Sequence, residues 1–186
     1  MLTVVFFTFV FGLIEIARAL YMWNTLPVVM QRAARAAAVT DPQNAAAMAQ
    51  LTRSAVLRGS APAGSIPTMP LGEPITSAHV NIDYLDANQA PLAAGALPAC
   101  PHQHYINCID NFGGAIPGRP ACIRFVRARL CAPGGGAVCG AVTYQPLLPL
   151  VPLPITFPPF TVVLKAETLG YLPGTAATCN VATATN

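Results

Sequence analysis

Charge is what this chain has least of. Charged residues make up 9% of its 186 positions, against about 25% in an ordinary soluble domain. The net charge of +3 is small, and no basic stripe is interleaved with aromatics, so a nucleic-acid partner is not expected. The three histidines and few acids form no nucleophile elbow, no zincin motif and no phosphate-cradling glycine loop. Gly134-Gly135-Gly136 follows no strand-to-helix context and reads as a flexible loop. Neither an enzyme nor a bound cofactor is expected. Also missing are basic residues ahead of the first apolar run, and with them the pattern of a cleavable signal peptide.

What the chain does have is apolar surface, at 54% of residues, and much of it lies at the front. Met1 to Ile14 carry no charge, and only Glu15 and Arg18 interrupt the run before Gln31. The apolar pattern continues through Leu20, Trp23 and Leu26 to Val29, beyond the roughly 20 residues that cross a hydrocarbon core. A membrane span is therefore expected. Arg32 and Arg35 after it would place the C-terminal side in the cytoplasm. The six cysteines, Cys100, Cys108, Cys122, Cys131, Cys139 and Cys179, demand the opposite, because their even number in a small head reads as three disulfides made on the exported side. The cysteines carry more weight, since a basic leader ahead of Met1 would restore the balance.

The expected architecture is α+β: a long N-terminal transmembrane or filament-core helix, then a small disulfide-bonded antiparallel β-meander head. Residues 1–58 form the helical part, 59–74 a linker rich in glycine, proline and serine, and 75–186 the head. The first helix runs to about Val39, with a kink or local melt expected at Trp23 to Pro27, where proline removes a hydrogen bond. A second is expected from an Asp41 N-cap, with Pro42 in its first turn, to about Arg58. Alternating residues predict strands at Ala78–Leu85, Ala121–Leu130, Val138–Gln145 and Thr161–Tyr171. Asp86 to Gly118 reads as a long loop. Pro146 to Pro159, with six prolines, reads as a stiff surface connection.

Glu15 is the one carboxylate of the apolar segment, and such a group is normally paired and normally has a role. It faces Arg18 within the same helix, or alternatively a cation of a neighbouring subunit whose exchange would favour assembly. Cys100-x-His102-x-His104-x-x-x-Cys108 holds four metal-capable residues, but the spacing matches no standard zinc pattern. Disulfides with incidental histidines are the better reading, and Cys131 with Cys139 is the preferred pair. No metal is expected there, nor at Asp83, Asp86 and Asp110, which lack a calcium signature. Arg124, Arg127 and Arg129 read as exposed charges guarding a strand edge.

Gly12-Leu13-Ile14-Glu15-Ile16-Ala17-Arg18-Ala19-Leu20-Tyr21, then Asn24-Thr25-Leu26 and Ala33-Ala34-Arg35-Ala36-Ala37, resemble the N-terminal region of TadE-like proteins, the pilins and pseudopilins of tight-adherence type IVc systems. Asp41-Pro42, the segment Val142 to Pro149 and the strand Thr161 to Thr168 are similar to that family too. The resemblance implies a pilin-like subunit without enzymatic activity. It would enter the bacterial inner membrane with its head in the periplasm, be trimmed by a prepilin peptidase, and be drawn by the pilus machinery into an extracellular filament (fimbrium) serving adhesion. The filament would be a homopolymer built through the N-terminal helices, with Glu15 and Arg18, which match the family's motif, as assembly residues; Pro27 is read as an assembly residue beside them from its place in the helix. The chain departs from the family in Val5, where a carboxylate is usual, in opening directly on the apolar run, and in Pro27. Either a leader precedes Met1 or the mature chain starts near it. A minor pseudopilin that primes or tips another filament, and a membrane-anchored periplasmic binding module, are the alternative readings.

Complete oxidation of the six cysteines predicts an intact mass lower than the reduced mass by six hydrogens. Any smaller deficit on denaturing, non-reducing mass analysis would mean that thiols survive.

Overall fold

A run of strong helix formers and apolar residues with no glycine beyond Gly12 builds a single helix, α1, over Leu2–Val39. It belongs to a computed structural model that describes residues 1–57, 59, 62, 64–110, 121–134, 138–147 and 154–174. The helix passes through Pro27 without interruption, so the local melt expected there does not occur. An internal proline costs about 3 kcal/mol or more. Met22, Leu26, Val29 and Met30 around it are fully buried, and at about 1.5–3 kcal/mol for each such side chain they outweigh that cost.

Two compact units are distinguishable. One comprises Met1–Arg32, Thr52–Asn81 and Arg129–Val162, the other Ala33–Leu51, Ile82–Ala128 and Val163–Asn186. In the first, the buried face of α1 repeats at Glu15, Arg18, Ala19, Met22, Leu26, Val29 and Met30, the three- and four-residue spacing of one helix side. Buried Met69, Ile75, Leu130, Tyr144 and Phe157 belong to the same unit. Trp23 meets Phe160 edge-on at 5.5 Å and Phe157 at 6.0 Å between ring centroids. In the second unit the helix buries Ala33, Ala34, Ala37 and Ala38, small side chains that admit a close backbone. The amides of Glu167 and Leu169 both donate to the Ala38 carbonyl, at 3.1 and 3.2 Å, so an otherwise orphaned acceptor at the helix end is satisfied.

The second helix, α2, spans Ala45–Val56. Its cap is Asn44, whose Oδ1 accepts from the Ala47 amide at 3.0 Å. Asp41, expected in that role, instead accepts from the Gln43 amide at 2.9 Å and shapes the turn before the helix. Both residue types cap well, and the three-residue shift follows from that local turn.

Strands β1 (Val80–Leu85), β2 (Phe125–Leu130) and β5 (Thr161–Lys165) form one sheet in the order β1-β2-β5. The amides of Arg124 and Cys131 donate to Leu85 and His79, and those of Leu130 and Ala166 to Phe160 and Arg124, which makes both pairings antiparallel. The four-stranded meander is not what forms. β3 (Val142–Thr143) leaves the sheet and pairs antiparallel with β4 (Thr156–Phe157), Val142 opposite Phe157. The proline-rich connection expected at the surface thus supplies a strand and a fully buried Phe157. The prolines flank that strand rather than interrupt it. β2 is the central strand, not an edge, and Arg127 on it binds Asp83 of β1 at 2.9 Å.

The expected loop from Asp86 to Gly118 contains a third helix, α3, at Pro101–Asp110. Pro101 occupies the first helical position, where its missing N–H is harmless, and the Gln103 amide donates to Cys100 Sγ at 3.3 Å. Residues 111–118, which end that loop, lie outside the described residues. Disulfides join Cys108 to Cys122 and Cys131 to Cys139. Cys100 is also disulfide-bonded, while Cys179 lies outside the described residues. Each closed loop stabilises by typically 2–4 kcal/mol.

Gly170, at φ 85°, follows Leu169 at φ 46°. A Cβ on Gly170 would lie 3.1 Å from the Asp41 amide nitrogen and Cβ. Gly170→Ala is expected to cost on the order of 1–2 kcal/mol in urea unfolding, from the left-handed backbone alone. An unchanged midpoint would show that this turn does not hold the end of α1.

Candidate functional site

An ionisable pair three residues apart on an apolar helix has one inexpensive solution: both groups on the buried face, with every polar atom satisfied. Glu15 and Arg18 take it. Glu15 is 1% exposed and Arg18 7%, and Nη1 of Arg18 lies 3.7 Å from the Glu15 carboxylate. The guanidinium fork then reaches two loops of the same unit. Nε donates to the Leu71 carbonyl at 2.8 Å, Nη2 to Glu73 at 2.7 Å and Nη1 to Gln145 at 2.8 Å. Arg18 Cζ also lies 5.1 Å from the centre of the Tyr144 ring, within cation–π range.

The carboxylate completes the arrangement. The Leu147 amide donates to Oε1 of Glu15 at 2.8 Å, and the Tyr144 hydroxyl donates to Oε2. Burial first, and then the bond to the Glu15 carboxylate, push the Tyr144 phenol above its ordinary pKa. It therefore remains a donor across the physiological range. The loop from Met69 to Ile75 is shaped for its part. Ile75 and Gly72 amides donate to Gly72 and Met69 carbonyls, both at 2.8 Å, and a Cβ on Gly72 would lie 2.1 Å from Met69 Cε. Leu71 adopts φ 55°, which presents its carbonyl to Arg18.

Sequence spacing placed Glu15 opposite Arg18, and the structure brings them together within one chain. It did not anticipate Tyr144, or the carbonyls of Leu71, Glu73 and Gln145, because backbone acceptors carry no residue signature. The segment 70–74 had read as the end of a linker. Pro27, named with the pair as an assembly residue, lies further along α1 and makes no part of this arrangement.

Ahead of the pair α1 is bare. Met1 to Phe9 are exposed, as are Leu13 and Ile14, and the same holds on the far side for Ile16, Leu20, Tyr21 and Trp23. Among the described residues this is one helix long and apolar enough to cross a membrane, with a window of mean hydropathy 1.9 of which 17% is buried. The low burial distinguishes it from a soluble core helix.

The cysteine–histidine motif falls on α3. His104 is buried, its Nε2 lying 3.1 Å from the Ile123 carbonyl and 3.2 Å from Cys108 Sγ. His104, Cys108 and Cys122 bring their ligand atoms within 4.8 Å of one another. The two sulfurs are bonded to each other, and a disulfide is not the thiolate that a zinc ion requires. His102 instead lies beside the Tyr171 ring. His79, in the other unit, accepts from the Thr76 amide through Nδ1 at 3.0 Å.

Comparison with protein-family models, with curated proteins and with solved structures returns no match to the chain.

Two outcomes follow. Removing one member of a buried, hydrogen-bonded pair costs about 3–5 kcal/mol because the other charge is stranded. Arg18→Met should lose about that much, and Glu15→Gln with Arg18→Met less, in denaturation followed by the fluorescence of Trp23. Equal losses would mean that the charges are not coupled. Burial also holds His79 and His104 below the ordinary value of 6.5. The unfolded chain therefore binds protons first as the medium acidifies, and stability should be full above about pH 6.5 and decline below it. His104→Gln should flatten that decline in urea midpoints taken across pH 4.5–7.5.

Proposed function

We propose that the chain is a structural, pilin-like subunit of a TadE-like, tight-adherence type filament, polymerising through its N-terminal helix. The observation that carries this reading is the apolar stretch of α1 from Leu2 to Ile14, exposed except at half-buried Val10, Phe11 and Gly12. A contiguous apolar surface of that kind marks a partner or a membrane. Lipid covers it before assembly, and the same helices of neighbouring subunits cover it in the fibre. Glu15 and Arg18 mark where the bare stretch ends, since from there the buried face of the helix is fastened to its own loops. The pair then serves assembly by holding those loops on the helix, and disulfides stiffen a subunit that works outside the cell.

On this reading the inner membrane, a prepilin peptidase and the pilus machinery are transient partners, and other copies of the chain are the permanent one. Adhesion is the use to which such a fibre would be put.

Electron microscopy of the sheared cell-surface fraction, with mass analysis of its dominant polypeptide, tests the proposal. Thin fibres composed mainly of this chain are expected. Phe9→Lys, which places a charge on the bare stretch, should abolish them while leaving the disulfides and the membrane level of the chain unchanged. Fibres in which the chain is a trace component would support a minor pseudopilin instead. Retention in the membrane as detergent-soluble monomers would support an anchored binding module.

A further inference from the structure

In the unit that contains α3, a pocket of about 490 Å³ opens between the helix and the chain that follows β5. That volume lies within the roughly 300–1,000 Å³ usual for small-ligand sites. One wall is aromatic: Tyr105 and Tyr171 stack on each other, parallel to within 4° with centroids 4.9 Å apart, so a ligand there meets one ring of the pair. Arg124 and Lys165 bring two cations to the lining, Glu167 one carboxylate and Thr168 a hydroxyl. His104 also lines it, and burial keeps that imidazole neutral near pH 7. The lining therefore offers cationic groups, a carboxylate and hydroxyl-binding groups beside the stacked tyrosines.

We propose that this pocket binds a carboxylated sugar ring, the chemistry that a hexuronate residue presents. The apolar C–H face of the ring lies on the tyrosine wall, as aromatic side chains favour. Its hydroxyls meet Thr168 and Glu167, which donate and accept respectively. Its carboxylate lies toward Lys165 and Arg124, where charge-assisted bonds form. A single negative charge suits Lys165, and a phosphate monoester, with close to two, would meet stronger repulsion from Glu167. The pocket lies within one compact unit, so the inference goes beyond the filament reading and does not depend on it.

Lys165 is the only lysine of the chain, and this gives the test its reporter. Reductive methylation with ¹³C retains the charge and yields a single lysine dimethylamine signal on the full chain in detergent. Titration with glucuronic acid should shift that signal saturably, with glucose binding at least about tenfold more weakly for want of the charge-assisted bond. Ligand-observed saturation transfer extends the test to variants. Lys165→Gln should weaken glucuronic acid about tenfold, Lys165→Arg should retain it, and Tyr171→Ala should lose it where Tyr171→Phe does not. No shift in folded protein would overturn the proposal, as would equal binding of glucose or tighter binding of glucose 6-phosphate. The measurement needs no fibre, so failure here leaves the filament reading standing, and the converse also holds.

Discussion

A single guanidinium fastens three loop carbonyls to a helix that, up to Gln31, carries no charge besides its own and that of Glu15. Arg18 bonds Leu71, Glu73 and Gln145, while Glu15 takes the Leu147 amide and the Tyr144 hydroxyl. Neither residue is useful without the other. The carboxylate alone would be a buried anion, and the guanidinium alone a buried cation, each carrying a desolvation cost of several kcal/mol. Together, and with their hydrogen bonds complete, they give the loops a single seat on the helix. Apolar contacts alone are non-directional and would tolerate sliding.

That requirement sets what the rest of the unit can do. The Met69–Ile75 turn accepts a left-handed leucine and a glycine that no side chain could replace, and so delivers two carbonyls to one arginine. β3 and β4 place Tyr144 beneath the guanidinium, with Phe157 packed edge-on at 6.1 Å. Past the pair, burial follows one helix side from Met22 to Met30, and Pro27 is carried within it without a break.

The parts of this fold that were legible in the sequence are those written by periodicity. The length of α1, the existence of α2 and the alternation in β1, β2 and β5 all follow from spacing. What was not legible depended on pairing over distance. Val142 and Phe157 find each other across a proline-rich connection, and nothing local to either announces it. Prolines predicted a surface segment, but Thr156 and Phe157 between them form a strand with Phe157 fully buried, and residues 148–153 lie outside the described residues. Likewise α3 begins at a proline beside a cysteine, a combination that looks like a loop until the sulfur is seen to accept from the Gln103 amide. The ion pair was half legible. Residue identities gave Glu15 and Arg18, and backbone geometry gave everything they hold.

The uncovered stretch Leu2–Ile14 has a consequence for lipid. At 1.5 Å per residue it reaches about 20 Å, short of the roughly 30 Å of a hydrocarbon core. A subunit resting in a bilayer with its loops fastened as described would therefore be drawn down until those loops touched the surface. Leu71, whose carbonyl is one of the arginine's acceptors, and Leu147, two residues past another, are 72% and 55% exposed, and they would enter the headgroup layer first. On the proposed filament reading, the loops would thus act as a shallow keel, setting the depth and tilt at which each subunit waits and presenting every copy to its neighbours at the same height.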